Sequence, residues 1–143
     1  MIILDGGLGR QLKAMGAPFR QPEWSALALM EGPEFVRAAH DAFIGSGATI
    51  ITTNSYAVVP FHIGEDLFRD QAGALLDLAG QLARGAADSA THLVQVAAGV
   101  PPMFGSYQPD KFDAGRAVEM IGLFRQTLDP YADFFMAETH SSI

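Results

Sequence analysis

The 143-residue chain contains no cysteine. That absence excludes disulfides, thiolate nucleophiles and every cysteine-ligated zinc site within it. Positive charge is scarce as well: nine Lys and Arg stand against sixteen Asp and Glu, a formal net charge of -7. Such a balance gains nothing from counterion release on nucleic acid or from attraction to an anionic membrane, so the expected partner is a small molecule or another protein. No apolar run approaches the ~18 residues of a membrane span. The start, Met1-Ile2-Ile3-Leu4-Asp5, lacks the basic region and long apolar stretch of a secretory signal, and the expectation is a cytoplasmic protein. The histidines, His40, His62, His92 and His140, show no HExxH or comparable ligand spacing.

What is present is a composition of 49% hydrophobic and 17% charged residues, which suits one globular domain. The apolar runs alternate with helical patterns. Ile2-Ile3-Leu4 reads as a buried strand ending at Asp5, closed by the turn Gly6-Gly7-Leu8-Gly9. A short helix follows to about Met15, stopped by Gly16 and Pro18, and Trp24 to Met30 forms another short turn. Gly32-Pro33-Glu34 starts a helix with proline at its first position and an acid in its first turn. Phe35, Ala39, Ala42 and Phe43 share one face of it, and Gly45 or Gly47 ends it. Thr49 to Thr52 is the second strand, Ala57 to Gly64 a loop, and Asp66 to Ala87 a long helix with a stripe of Phe68, Ala72, Leu75, Ala79, Leu82 and Ala86. Leu93 to Ala98 is the third strand, broken by Gly99-Val100-Pro101-Pro102. Asp113 caps a helix whose stripe is Ala117, Ile121, Phe124 and Leu128, ended by Asp129-Pro130. Asp133 to Ala137 is the fourth strand. Strands thus begin near residues 2, 49, 93 and 133 with a helix in each gap, which predicts right-handed crossovers and a parallel α/β sheet.

In such sheets functional groups collect beyond the carboxyl ends of the strands. Those positions hold Asp5, Thr52-Thr53-Asn54, Gly99 and Glu138-Thr139. Converging carboxylates with amide and hydroxyl neighbours suit binding of an ammonium ion, ligation of a hard metal or acid-base work. Each also has a plainer reading: Asp5 as a turn cap, Glu138-Thr139 as the first turn of another helix, Thr53 and Asn54 as partners of loop backbone. Gly6-Gly7-Leu8-Gly9 fails as a dinucleotide fingerprint, because Leu12 stands where the third glycine belongs, and no Lys-Ser/Thr pair follows for a P-loop.

Taken together these strings resemble the homocysteine S-methyltransferase family. Ile3-Leu4-Asp5-Gly6-Gly7-Leu8-Gly9 is similar to its opening strand, and Pro22-Glu23-Trp24-Ser25-Ala26 to its first loop. Gly47 through Tyr56 resembles its second strand and polar end. Ala98-Gly99-Val100-Pro101-Pro102 with Ser106-Tyr107-Gln108-Pro109-Asp110 is similar to the third strand and loop of bacterial members, particularly those using S-methylmethionine. Ala132-Asp133 through Ala137-Glu138-Thr139 resembles the fourth strand. The resemblance implies a TIM-type (β/α)8 barrel, and methyl transfer from a sulfonium donor such as S-methylmethionine to homocysteine, giving methionine, a step of methionine biosynthesis. By the same resemblance Asp5 and Glu138 hold the amino acid's ammonium group, and Thr53 and Asn54 line the pocket. Arg10 replaces the threonine usual after the opening glycines.

Length sets a limit on that reading. Eight units need about 250 residues, and the four units here, residues 1–143, correspond to the N-terminal half of the barrel, a truncated form. The zinc implied for a full-length family member is held by cysteines of the later half, so no zinc site is expected in this chain, and little or no zinc-dependent catalysis from it alone. Two further readings remain open. An open four-strand sheet has edges that tend to pair, which points to a non-catalytic module joined to a second copy or to a complementary C-terminal half; Asp5 and Glu138 with a hard metal would make a different barrel-fragment enzyme.

Overall fold

The computed structural model describes residues 1–140. In chain order the elements are α1 (Leu8–Ala14), α2 (Ala26–Glu31), α3 (Pro33–Gly45), β1 (Ile50–Thr52), α4 (Pro60–Ile63), α5 (Glu65–Asp88), β2 (Gln95–Val100), a 3-10 turn at Pro109–Lys111, α6 (Ala114–Leu128) and β3 (Phe134–Ala137). The strands form a parallel sheet in the order β1-β2-β3, with Ile51 opposite Val96 and Ala98 opposite Phe135. Neighbouring strands are therefore consecutive in the chain, each linked by a helical crossover. This is the α/β arrangement the strand-helix alternation predicts.

The expected first strand is reduced to a single parallel bridge between Leu4 and Ile50. The reason is local. Ile3 N donates to the Thr49 hydroxyl at 2.9 Å instead of to a carbonyl, while the Ile3 carbonyl accepts from Thr49 N and Ile50 N at 2.8 and 3.1 Å. A side chain has replaced one rung of the ladder, and only Asp5 N to the Ile50 carbonyl, 2.9 Å, restores it. Four expected strands thus become, among the described residues, three strands and one bridge.

Other boundaries move for equally concrete reasons. Pro60 at the first helical position starts α4 inside the expected loop. β2 continues through Gly99 and Val100, which pair with Met136 and Ala137, and stops at Pro101, which has no N–H to give. On α3 the buried face is Val36, Ala39, His40 and Ile44, not the predicted Phe35, Ala39, Ala42 and Phe43, and Ala42 is exposed. Phe35 instead packs over Gly32 beside Pro18, where an added Cβ would lie 3.0 Å from both side chains. On α6 Met120 takes the buried place expected for Ile121. The Asp113 cap is formed as expected, its carboxylate accepting from Arg116 N at 3.0 Å.

The core lies between the sheet and these helices. α5 buries Ala72, Leu75, Leu76, Ala79, Gly80, Ala83, Ala86 and Ala87 along one face. Ile51 and Val96 meet Ile44, Ala83, Ala86 and Ala87 on the helix side of the sheet. Each such large aliphatic side chain contributes about 1.5–3 kcal/mol relative to exposure. Gly80 is required by close approach: a Cβ there would lie 2.3 Å from the Tyr131 ring, whose hydroxyl donates to Asp77 at 2.6 Å. No helix among the described residues is long and apolar enough to cross a membrane.

His40 is the costly residue of this core. It is fully buried, and neither ring nitrogen has a hydrogen-bond partner among the described residues. Burial pushes its pKa down from 6.5 to about 4. A base depressed on folding contributes stability above its unfolded pKa and loses it as pH falls through the window between the two values. We expect acidification from pH 6.5 towards 4 to remove on the order of 3 kcal/mol through this group. His40→Leu, which removes the unpaired nitrogens, should raise stability at pH 7 and flatten the acid limb; urea unfolding of both proteins at pH 7 and 5 measures it.

Candidate functional site

A cleft of about 630 Å³ opens beyond the carboxyl ends of the strands. Its walls come from the turn after Leu4, the segment around Trp24, the end of β1 with the following loop, Ser106, and Glu138 after β3. Asp5, Thr53, Asn54 and Glu138, the residues expected from sequence to line a site, all line it. They differ in what they have left to offer a ligand.

Asp5 is tied to the strand beside it. One carboxylate oxygen accepts from Thr52 N at 2.7 Å and the other from the Thr52 hydroxyl at 3.1 Å. The carboxylate thus closes the end of β1, 47 residues away, instead of capping the Gly6-Gly7 turn, and it lines the cleft. Thr53 is more fully committed. Its hydroxyl accepts from Gly99 N at 3.1 Å and pairs with the Ser55 hydroxyl at 2.8 Å, and Ser55 donates to the Gly99 carbonyl at 2.6 Å. With the Ser55 proton used on Gly99, Thr53 must be the donor to Ser55, so both hydroxyl protons are spent inside the fold. Asn54, buried, donates its amide to the Ser25 carbonyl at 2.9 Å and anchors the Trp24 segment.

Glu138 reaches the cleft across Gly99. An added Cβ on Gly99 would lie 3.2 Å from Glu138 Oε2 and 3.1 Å from Thr52 Cγ2, so glycine there makes room for the carboxylate. No Lys, Arg or His among the described residues forms an ion pair with Asp5 or Glu138. Burial raises the Glu138 pKa, and the negative charge of Asp5 raises it further. Asp5 is also raised by burial, against hydrogen bonds from Thr52 that lower it. An acid raised on folding destabilises the native state once ionised, an expense that a bound cation offsets. Thr139 has φ +56, outside the right-handed helical region, and the rest of the helical turn read from Glu138-Thr139 falls on residues 141–143, outside the described residues.

The opposite wall is aromatic, and the sequence reading passed over it. Trp24 meets Phe19 edge-on at 5.8 Å and His62 at 6.4 Å, while His62 meets Phe61 at 4.9 Å and Tyr56 at 6.1 Å. The Tyr56 hydroxyl shares a 2.5 Å hydrogen bond with Ser106, clasping the loop after β1 to the loop after β2. Two of these rings, Trp24 and Tyr56, stood in strings already singled out. Phe61 and His62 carried no pattern of their own; on the helix that Pro60 starts, His62 is buried while Phe61 lines the cleft and stays exposed.

Consecutive parallel strand-helix units with a cleft at the strand carboxyl ends define an α/β protein of the TIM-barrel type in its local plan. Comparison with known proteins makes the assignment specific. The homocysteine S-methyltransferase family profile matches residues 2–143, and the chain belongs to that family. It is 30% identical to the homocysteine S-methyltransferase of Escherichia coli (strain K12), over 97% of this chain and 50% of that protein. It is 34% identical to homocysteine S-methyltransferase 1 of Arabidopsis thaliana, over 60% of this chain and 27% of that protein. The crystal structure of the metallated homocysteine methyltransferase MmuM from Escherichia coli superposes with a TM-score of 0.79 at 30% identity, covering 96% of this chain and 54% of that one. The chain thus spans about half the length of the bacterial relative.

The pairing of the two carboxylates is directly measurable. Asp5→Asn removes the like charge while keeping an acceptor for Thr52 N, and the Glu138 pKa should fall towards the ordinary carboxylate range. A pH titration of the Glu138 side-chain carbonyl by NMR reports it; an unmoved titration would show that the groups are not coupled.

Proposed function

We propose that this chain supplies the amino-acid-binding part of a homocysteine S-methyltransferase, and that residues 1–143 form the N-terminal half of a (β/α)8 barrel. Methyl transfer from a sulfonium donor such as S-methylmethionine to homocysteine, giving methionine, is the reaction of the whole barrel. The observation that carries this reading is the pair of half-buried carboxylates, Asp5 and Glu138, in one cleft with no cationic partner among the described residues. An α-ammonium group is the small cation that suits them. The aromatic wall of Trp24, Tyr56 and Phe61 suits a sulfonium methyl donor, since ring faces attract a cation without hydrating it.

The zinc implied by the family does not fit the groups in this chain. It has no cysteine. Among the described residues no three His, Asp or Glu side chains gather as a metal site, and both Asp5 oxygens are engaged by Thr52. No thiol activation by metal is assigned to these residues, and their part is to bind and orient the amino acid. Calorimetric titration of the chain with homocysteine should give binding that Asp5→Asn or Glu138→Gln weakens about tenfold, a loss near 1.4 kcal/mol. Incubation with zinc, homocysteine and S-methylmethionine should yield no methionine. Failure to bind homocysteine would overturn the binding role, and robust turnover would overturn the division of labour.

A second reading, a half-barrel that pairs with a second copy or a complementary C-terminal half, is favoured by the sheet's last strand. Parallel register puts Phe135 on the same face as Ala98, Val96 and Ile51. The helices cover those three, yet Phe135 is 39% exposed. An uncovered aromatic beside an open strand edge is a pairing surface. Sedimentation over a range of concentrations should show self-association that Phe135→Lys reduces; a monomer at every concentration would remove self-pairing.

A further inference from the structure

The cleft is acidic and its charge is not balanced. Asp5 and Glu138 line it, and no Lys or Arg among the described residues does. An α-amino acid carries its carboxylate on the same carbon as its ammonium group. A ligand whose ammonium lies between Asp5 and Glu138 therefore brings an anion in beside them, and repulsion opposes this unless a cation answers it. Asp5 is followed by the turn Gly6-Gly7-Leu8-Gly9, which lines the cleft throughout, and the cation nearest that turn in the chain is Arg10. Packing sets where the turn lies: an added Cβ on Gly6 would be 3.0 Å from the Phe43 ring, and one on Gly9 3.4 Å from the Phe19 ring. On Gly7 it would be 4.0 Å from Cβ, Cγ and Cδ of Arg10 alike, so the arginine stem runs along the glycine and brings its guanidinium to the same rim. Arg20, Arg37, Arg69, Arg84 and Arg116 are each paired with a carboxylate, whereas Arg10 is exposed and forms no ion pair among the described residues.

We propose that Arg10 is a specificity-determining contact of the cleft, its guanidinium taking the α-carboxylate of the amino acid whose ammonium group lies between Asp5 and Glu138. This rests on the amino-acid-binding reading above and adds the cation that reading lacks. A guanidinium suits the task because its planar fork meets both oxygens of a carboxylate. The long stem keeps the head in water until a ligand arrives, so the unpaired charge is not a burden on the free protein. The anions that could compete for it are Asp5 and Glu138. Asp5 already accepts from Thr52 at both oxygens, and neither carboxylate pairs with Arg10. The chain departs from the family string at this position, where threonine is usual, so the contact is a property of this chain and not of the family as a whole. A zwitterionic amino acid gains both contacts, and an amine without the carboxylate gains only the acidic side.

Homocysteine and its decarboxylated amine, aminopropanethiol, differ only by the carboxylate and isolate the contact. In calorimetric titrations of the wild-type chain, homocysteine should bind about fivefold more tightly than the amine, an advantage that raised ionic strength reduces. Arg10→Gln should weaken homocysteine about fivefold and leave the amine unchanged, while Arg10→Lys keeps part of the advantage. The side chain is exposed, so both variants should fold as the wild type does, which circular dichroism checks. An unchanged homocysteine affinity in Arg10→Gln would overturn the contact, and so would equal weakening of both ligands, the mark of a general effect on the cleft. In either case a loss of homocysteine binding in Asp5→Asn would leave the binding reading standing. Absence of homocysteine binding by the wild-type chain would overturn the two together.

Discussion

A parallel strand ends with backbone groups that its neighbours do not satisfy, and the carboxyl edge of this sheet depends on side chains to take them up. Asp5 covers Thr52 N, and Thr53 covers Gly99 N. Ser55 covers the Gly99 carbonyl and is itself held by Thr53. A buried donor or acceptor left unpaired costs about 1–3 kcal/mol, so each of these contacts is worth more in its absence than in its presence. The same contacts fix the end of β1 against the end of β2, and because the residue between them is glycine, the Glu138 carboxylate lies across it. The polar termination of the strands and the shape of the cleft are one arrangement.

Backbone strain is distributed with the same bias. Trp24, Tyr107 and Thr139 are the non-glycine residues with positive φ, at +49, +62 and +56 among the described residues. Trp24 lines the cleft, and the other two directly follow residues that do, Ser106 and Glu138. Left-handed conformations at such residues cost of order 1–3 kcal/mol each and persist where surrounding contacts over-determine them. Here the contacts are visible: Asn54 holds the Ser25 carbonyl behind Trp24, Tyr56 holds Ser106, and the Val100 carbonyl accepts from Glu138 N and lies 3.0 Å from His140 Nε2. Strain at the rim is offset by hydrogen bonds from the layer beneath.

Much of the plan was legible in the sequence because it rests on local chemistry. Pro33 after Gly32, Asp113 before α6 and the long stripe of α5 are signals that act within a few residues, and the elements form where those signals stand. The carboxyl-end rule placed Asp5, Thr53, Asn54 and Glu138 at one rim without any knowledge of contacts. What was not legible depends on partners distant in the chain. The face of α3 turned because Phe35 found Gly32 and Pro18, which brought His40 into the core. The first strand shrank because the Thr49 side chain competed for Ile3. His62 looked like a loop residue until Pro22, forty positions earlier, supplied the carbonyl that fixes its tautomer.

Lining a cleft and being able to bind in it are different properties, and hydrogen-bond accounting separates them. Thr53 and Ser55 have spent both hydroxyl protons, Asn54 has used an amide N–H on Ser25, and the Tyr56 hydroxyl is engaged with Ser106. Asp5 retains charge but accepts at each oxygen already. Among the described residues, the Glu138 carboxylate, Asn54 Oδ1 and His62 Nε2 keep unspent hydrogen-bonding capacity, and the rings of Trp24, Tyr56 and Phe61 line the same cleft. A ligand gains from this surface by presenting a cation to the acidic side and apolar or weakly hydrated groups to the aromatic side. An anionic or strongly hydrated group beside the rings would lose its water without finding a partner, whereas a weakly hydrated cation is attracted by the ring faces. Recognition therefore follows from which groups the fold has left unused, and the residues that hold the strands together determine which those are.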